Sequence, residues 1–433
     1  MMRALGIALV LGLSFASPVA AQETVALVGG RVWSPGAEPI EGATLVIRDG
    51  RIVSVGTGAA PSGARVVDCA GTILTPGFVG TQTELGLVEI EMEPSTADHA
   101  PEGEHRDPVR ASFAAIDGYN PLSTAIPVAR RWGVTSVVTT PDGGLVSGTS
   151  AWMDLAGRTL DDVLVEDRTA LHASLSDGAI ESAGGARSTA LNLLREVFDD
   201  ARLYRTRGAA YDRRQLRELR VSRLDLERLG GALADDYPLV VAASRSTDIL
   251  RVIAFARDYG LRLVIAGGQE AWMVAPQLAA ADVPVILRPM TNLPASFSQL
   301  HARYDNAAIL NRAGVRVIIS AEGAHGQRNL RQEAGNAVAT GLPRDAALRA
   351  LTLEPARVFG VDDRYGTLAA GRVANVVVWT GDPFELTTWA RQVFVRGQEV
   401  PTTSRQTLLF ERYRDLSNVR RGQRGLPRVT PRE

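Results

Sequence analysis

The sequence predicts an α/β fold built on a (β/α)8 barrel, and three observations carry that reading. Strand-length apolar runs alternate with helical stretches through residues 76–363, the rhythm of a parallel sheet whose strands are joined by helices. Short strands separated by turn residues gather at both ends of the chain, over 22–75 and 364–403. The length of 433 residues is too great for one ordinary core and suits a barrel with a small second domain.

The first β unit begins at Val25-Ala26-Leu27-Val28, followed by Gly29-Gly30 and Arg31-Val32-Trp33. Thr44–Ile47 and Arg51–Val55 flank Asp49-Gly50, a dipeptide suited to a tight hairpin because both central residues need positive φ. Val66–Ala70 and Thr72–Leu74 complete the unit. In the middle region, strands at Gly133–Thr139, Leu239–Ala242, Leu261–Ile265, Val283–Leu287 and Val315–Ile319 are interleaved with helices. Those helices are expected at Ala125–Trp132, Asp248–Tyr259, Glu270–Ala280, Asn306–Ala313, Asn329–Thr340 and Arg344–Thr352. Residues 186–236, rich in Arg, Leu and Asp, read as a helical insertion: a solvated pair over one end of the barrel. Strands return at Val376–Trp379 and Val393–Gly397, and residues 404–433 hold an amphipathic start and an Arg/Gly/Pro-rich tail.

Composition narrows the function. A net charge of −1 gives no general attraction to nucleic acid, and 45% hydrophobic with 22% charged residues is ordinary for a globular protein. All 47 basic residues are arginine, so a lysine Schiff base and a carboxylated bridging lysine are both excluded. Cys69 is the only cysteine, so no intrachain disulfide forms; it reads as a small core residue. Residues 1–21 have the form of a cleavable export signal: Arg3, an apolar run from Ala4 to Ala16, and Val19-Ala20-Ala21 before Gln22. The expectation is an exported, periplasmic protein with no integral membrane segment after cleavage.

The stretch Thr75-Pro76-Gly77-Phe78-Val79-Gly80-Thr81-Gln82-Thr83-Glu84 resembles the first barrel strand of the amidohydrolase superfamily. Leu351–Arg357 and Gly366–Asp382 resemble two later blocks of the same superfamily, with Glu354 in an Asn position and Asn375 in an Asp position. The nearest subgroup is the imidazolonepropionase-like secreted amidohydrolases. The resemblance implies that the two chain ends form a composite β-sandwich beside a TIM barrel. It also implies metal-dependent hydrolysis of non-peptide C–N bonds, in which the metal generates hydroxide from water.

The ligand positions that the resemblance implies are all altered. The Asp and two His of the first strand fall on Gly80, Gln82 and Glu84, the later His positions fall on Ala242 and Gly267, and the last Asp falls on Glu322. A catalytic zinc site needs about three N, S or carboxylate ligands and an open position. No cofactor is therefore expected; the alternative is a weak divalent site for Mg, Mn or Ca at Gln82, Glu84 and Glu322, a hard-oxygen set.

Catalytic candidates are Glu322, His325 and Glu84, with His325 placed to pair with Glu322 if its loop folds back. Substrate-binding candidates are Gln82, Arg245, Arg288, Gly144 and Ser147; the last two lie in a glycine-rich loop, Thr140–Ser150, whose N–H groups could cradle an anion. His99 and His105 read as exposed loop residues. Three functions follow. The first is an inactive family member binding a small molecule in the barrel mouth. The second is a hydrolase with a remade site, and the third is an assembly partner, as a homo-oligomer or with an active paralogue.

Overall fold

The computed structural model describes residues 23–100 and 107–414. The export signal, His105 and the tail beyond 414 lie outside the described residues. None of the described helices is long and apolar enough to cross a membrane.

Strands β1 (Val25–Val32), β2 (Ile40–Arg48), β3 (Arg51–Gly56), β4 (Arg65–Asp68) and β5 (Ile73–Pro76) open the chain. Asp49 (φ 52°) and Gly50 (φ 73°) both adopt the left-handed conformation that closes the β2–β3 hairpin. The barrel follows: β6 (Phe78–Thr83), β7 (Val134–Thr139), β8 (Val146–Asp154), β9 (Leu164–Ser174), β10 (Leu239–Ala243), β11 (Leu263–Gly267), β12 (Val285–Leu287) and β13 (Val317–Ile319). Strands β14 (Val376–Trp379), β15 (Ala390–Val395) and β16 (Gln398–Val400) then return to the first sheet.

That sheet is composite, in the order β16-β15-β14-β5-β1-β2-β3 with β4 on β1. The antiparallel β5–β14 ladder, Pro76 opposite Val376 through Ile73 opposite Trp379, ties the chain ends together. Its core packs Leu27, Leu45, Leu74 and buried Cys69 from one end against Val376, Val378 and Phe394 from the other.

The barrel sheet runs β6 to β13 in chain order. Strand β8 departs from the parallel expectation, since it pairs antiparallel with both β7 and β9. The link Thr140–Leu145 is too short for the helical crossover that a parallel partner needs, so the chain doubles back. All nine residues of β8 are buried, because strands lie on both sides and the barrel interior covers a face.

Residues 186–236 form the crossover from β9 to β10 rather than a solvated pair over the barrel's end. Helices Arg187–Asp212 and Arg223–Leu233 bury Leu194, Val197, Phe198, Leu226 and Leu229 in the main core, where Phe198 meets Phe255 edge-on at 5.4 Å. Their charge obscures an apolar stripe on one face of each helix.

No ladder joins β13 to β6. Side chains close that seam: Ser320 Oγ donates to the Thr81 carbonyl at 2.5 Å, and Thr83 Oγ1 donates to the Gly323 carbonyl at 3.0 Å. Gln327 Nε2 donates to the carbonyls of Ala321 and Gly323 at 3.2 and 3.0 Å.

The two sheets meet at buried Asp154. It accepts bonds from Ser136 Oγ at 2.7 Å, Asn375 Nδ2 at 3.0 Å, Tyr365 OH at 2.8 Å and Arg396 Nε at 2.6 Å. Burial pushes the Tyr365 phenol well up, so it stays a donor. Asn375, where the resemblance expects Asp, donates to Asp154 and accepts the Arg396 N–H at 2.8 Å, a combination that a carboxylate cannot supply. Replacing Asn375 by Asp sets two buried carboxylates against each other. It is expected to lower unfolding free energy by about 3 kcal/mol at neutral pH, and by less under acid, as read by denaturant titration at both pH values.

Candidate functional site

The C-terminal ends of the barrel strands surround a cavity of about 590 Å³. A second cavity of about 750 Å³ lies at the opposite end, between barrel and composite sheet, with Asp49, Arg158 and Arg396 in its wall. In a barrel of this kind chemistry belongs to the C-terminal face, so the first cavity is the candidate site.

Strand β6 ends irregularly, its pairing with β7 shifting between Gly80 and Thr83. Gln82 sits there at φ 50°, a left-handed conformation that costs a non-glycine residue roughly 1–2 kcal/mol. Its side chain lines the cavity, and its buried Oε1 has no partner. Glu84 lines the same wall. Burial raises its carboxyl to about 7; the charges of Asp142 and Glu91 push the same way, while Arg288 opposes.

Ala242 and Gly267, at the ends of β10 and β11, face the cavity without donor atoms. Gly267 is at φ 84°, and a Cβ there would stand 3.3 Å from Gln269 Oε1, itself buried and unpartnered. A Cβ on Gly80 would come within 2.4 Å of Gln327 Oε1. Carboxamides thus occupy the space into which larger side chains at 80 and 267 would project.

At the rim, Glu322 is 82% exposed and pairs with Arg288 Nη1 at 3.2 Å. Behind it, Glu333 accepts the Met290 N–H at 2.7 Å, and burial raises its carboxyl to about 7. Arg288 opposes that shift too, so one guanidinium serves three carboxylates.

The predicted residues are therefore only partly brought together. Gln82, Glu84, Ser147, Arg288 and Glu322 all line the cavity. His325 does not pair with Glu322: its Nε2 meets the Glu89 carbonyl at 2.8 Å, and it is not in the cavity wall. Arg245 caps the helix Ser246–Tyr259 and is exposed outside the cavity. Gly144 is also outside it, packed against the Pro108 carbonyl and Arg110.

The Thr140–Ser150 stretch is no anion cradle. From Val146 onward it is strand β8, and the Leu145 and Val146 N–H groups both donate to the Pro108 carbonyl. The Gly143 N–H donates to Asp142, while the Gly143 carbonyl takes the Arg110 guanidinium at 2.6 Å.

Among the lining residues that sequence reasoning missed are Glu91, His99, His172 and Gln269. His172, buried on β9, hydrogen-bonds Ser150 Oγ through Nε2 at 2.8 Å, and burial lowers its pKa to about 3, keeping the ring neutral. It sits in a run of continuously buried residues, Thr169–Ala173, where alternation cannot show which side chains face inward. His99 is half-buried at the mouth rather than an exposed loop residue.

These residues do not fit a zinc-bound water. Gly80, Ala242 and Gly267 provide no donor, the one buried imidazole already binds Ser150, and among the described residues no three His, Cys, Asp or Glu gather to hold an ion. In the Gln82, Glu84 and Glu322 set, Glu322 is already paired with Arg288 at the rim.

Residues 227–400 match the model of the Amidohydrolase family. The solved structure of an amidohydrolase from Thermotoga maritima superposes with a TM-score of 0.79 at 25% identity, covering 87% of this chain and 99% of that one. A 5-methylthioadenosine/S-adenosylhomocysteine deaminase from Desulforudis audaxviator is 26% identical over 77% of this chain and 80% of its own length. Amidohydrolase tasK from Hapsidospora irregularis is 26% identical over 76% of this chain, but this chain spans only 38% of that protein.

Gly80→Asp should lower stability by roughly 2–4 kcal/mol, with Gln327→Ala in the same chain recovering part of the loss; additive effects in a double-mutant cycle would refute the contact. Glu84 and Glu333 keep their protons when folded at pH values where the unfolded chain, at the ordinary 4.5, has lost them. Their stabilisation is full below about pH 4.5 and is lost as pH rises through about 7. Glu84→Gln and Glu333→Gln should each flatten the decline of the thermal midpoint between about pH 5 and 8; an unchanged slope would count against both shifts.

Proposed function

Because this chain belongs to the amidohydrolase superfamily, we propose that it keeps the superfamily's barrel mouth as a small-molecule binding site and does not run metal-dependent C–N hydrolysis. The observation that carries this reading is the geometry at Gly80, where the Gln327 carboxamide fills the space of the missing side chain, together with the bare Ala242 and Gly267 in the cavity wall. A ligand in a cavity of about 590 Å³ would be held by hydrogen bonds and charge from Gln82, Gln269 and Glu84.

A second reading has one observation in its favour. Glu84, with its carboxyl raised to about 7, has the poise of a general base, and a hydrolase remade around Glu84 would use it on a bound amide or N-acyl compound. His325 takes no part in it, being engaged by the Glu89 carbonyl.

Elemental analysis of the pure protein, with assays of small amides and N-acyl compounds, separates the readings. The expected result is metal well below one equivalent and no turnover. Turnover that survives chelation and is lost in Glu84→Gln would favour the remade hydrolase. Stoichiometric metal with turnover abolished by chelators would overturn the proposal.

A further inference from the structure

We infer that the ligand of the barrel mouth is an organic ammonium compound, held by carboxylate and carboxamide oxygens. The inference rests on the reading of the mouth as a small-molecule site and names the chemical class of its occupant.

The charges in the cavity wall are unbalanced. Glu84, Glu91, Asp142 and Glu322 line it, and Arg288 is the only arginine among the described lining residues. Arg288 is engaged by Glu322 at the rim, leaving the other three carboxylates without a lining arginine of their own. Two of them converge from separate turns of the loop after β6. The point where a Cβ on Gly323 would sit is 3.0 Å from Glu91 Oε1 and 3.9 Å from Glu84 Oε2.

An independent observation comes from the carboxamides. Gln269 is only 4% exposed, lines the cavity, and has an Oε1 with no partner. Gln82 Oε1 is likewise buried and unpartnered in the same wall. An unpaired buried acceptor is costly, and a donor-rich ligand relieves it. An ammonium group carries three N–H donors, no acceptor and a positive charge, which answers both the excess of carboxylates and the orphaned oxygens. A carboxylate-bearing ligand would meet the carboxylates of Glu91 and Asp142, with Arg288 already paired to Glu322. A bare divalent ion is a poorer match because no three acidic or imidazole ligands converge among the described residues.

Three probes of one carbon spacing test the inference on the full chain by titration calorimetry: butane-1,4-diamine, butane-1,4-diol and butanedioate, with calcium chloride as a fourth. The diamine should bind at least about tenfold more tightly than the diol, and butanedioate should not bind. Glu91→Gln with Asp142→Asn should weaken the diamine by about tenfold or more while leaving the thermal midpoint in place, since Glu91 is exposed. Glu84→Gln should weaken it separately. Diol or butanedioate binding as tightly as the diamine would overturn the ammonium assignment and leave a small-molecule mouth standing. Calcium displacing the diamine, or no heat from any probe, would also overturn the assignment. Metal-dependent turnover would defeat the underlying reading as well.

Discussion

The seam between β6 and β13 is the constraint on which the mouth depends. With no backbone ladder there, closure falls to Ser320 and Thr83 bonding across to main-chain carbonyls, while Gln327 braces the loop after β13. Gln327 does so with its Oε1 2.4 Å from where a Cβ on Gly80 would sit, so this placement of the carboxamide goes with a residue without a side chain at 80. The same choice removes the Asp that the superfamily pattern places at that position. The Gln327 carboxamide and a side chain at 80 therefore compete for one volume, and here the carboxamide holds it. At Gly267 the approach is looser, with Gln269 Oε1 3.3 Å from the position of a Cβ.

The electrostatics of the mouth are set by its carboxylates and Arg288. In a metal site a divalent charge would hold neighbouring carboxyls ionised. Here Arg288 is the single cation shared among Glu322, Glu84 and Glu333, and burial outweighs it at the last two, whose carboxyls rise to about 7. Of the two rising carboxyls, Glu84 lines the cavity and Glu333 accepts the Met290 N–H. The mouth's charge therefore varies across the neutral range.

Far from the mouth, Asp154 joins the two sheets through donors from β7, the stretch before β14 and the end of β15. Buried carboxylates are tolerable only when fully bonded, and this one is. The Asn at 375 makes sense only beside it. In the sequence it is a single departure from a pattern; in the fold it is the donor that a second acid could not be.

What the sequence determined by itself was whatever depends on local chemistry and period. The Asp49-Gly50 hairpin, the strand runs at both ends, most helices of the barrel and the burial of Cys69 follow from turn geometry and apolar spacing, and all are present. The loss of donors at Ala242 and Gly267 was equally legible, because a missing side chain needs no fold to be missing. Tertiary structure alone decided the rest. The reversal of β8 came from a link too short to cross over, and the inward face of His172 came from a register that continuous burial conceals. The outward turn of His325 and the entry of Gln269 and Gln327 into vacated volume depended on neighbours distant in the chain. Side-chain direction at a loop end is set by which distant group arrives to bond it, and that partner is known only once the strands are assembled.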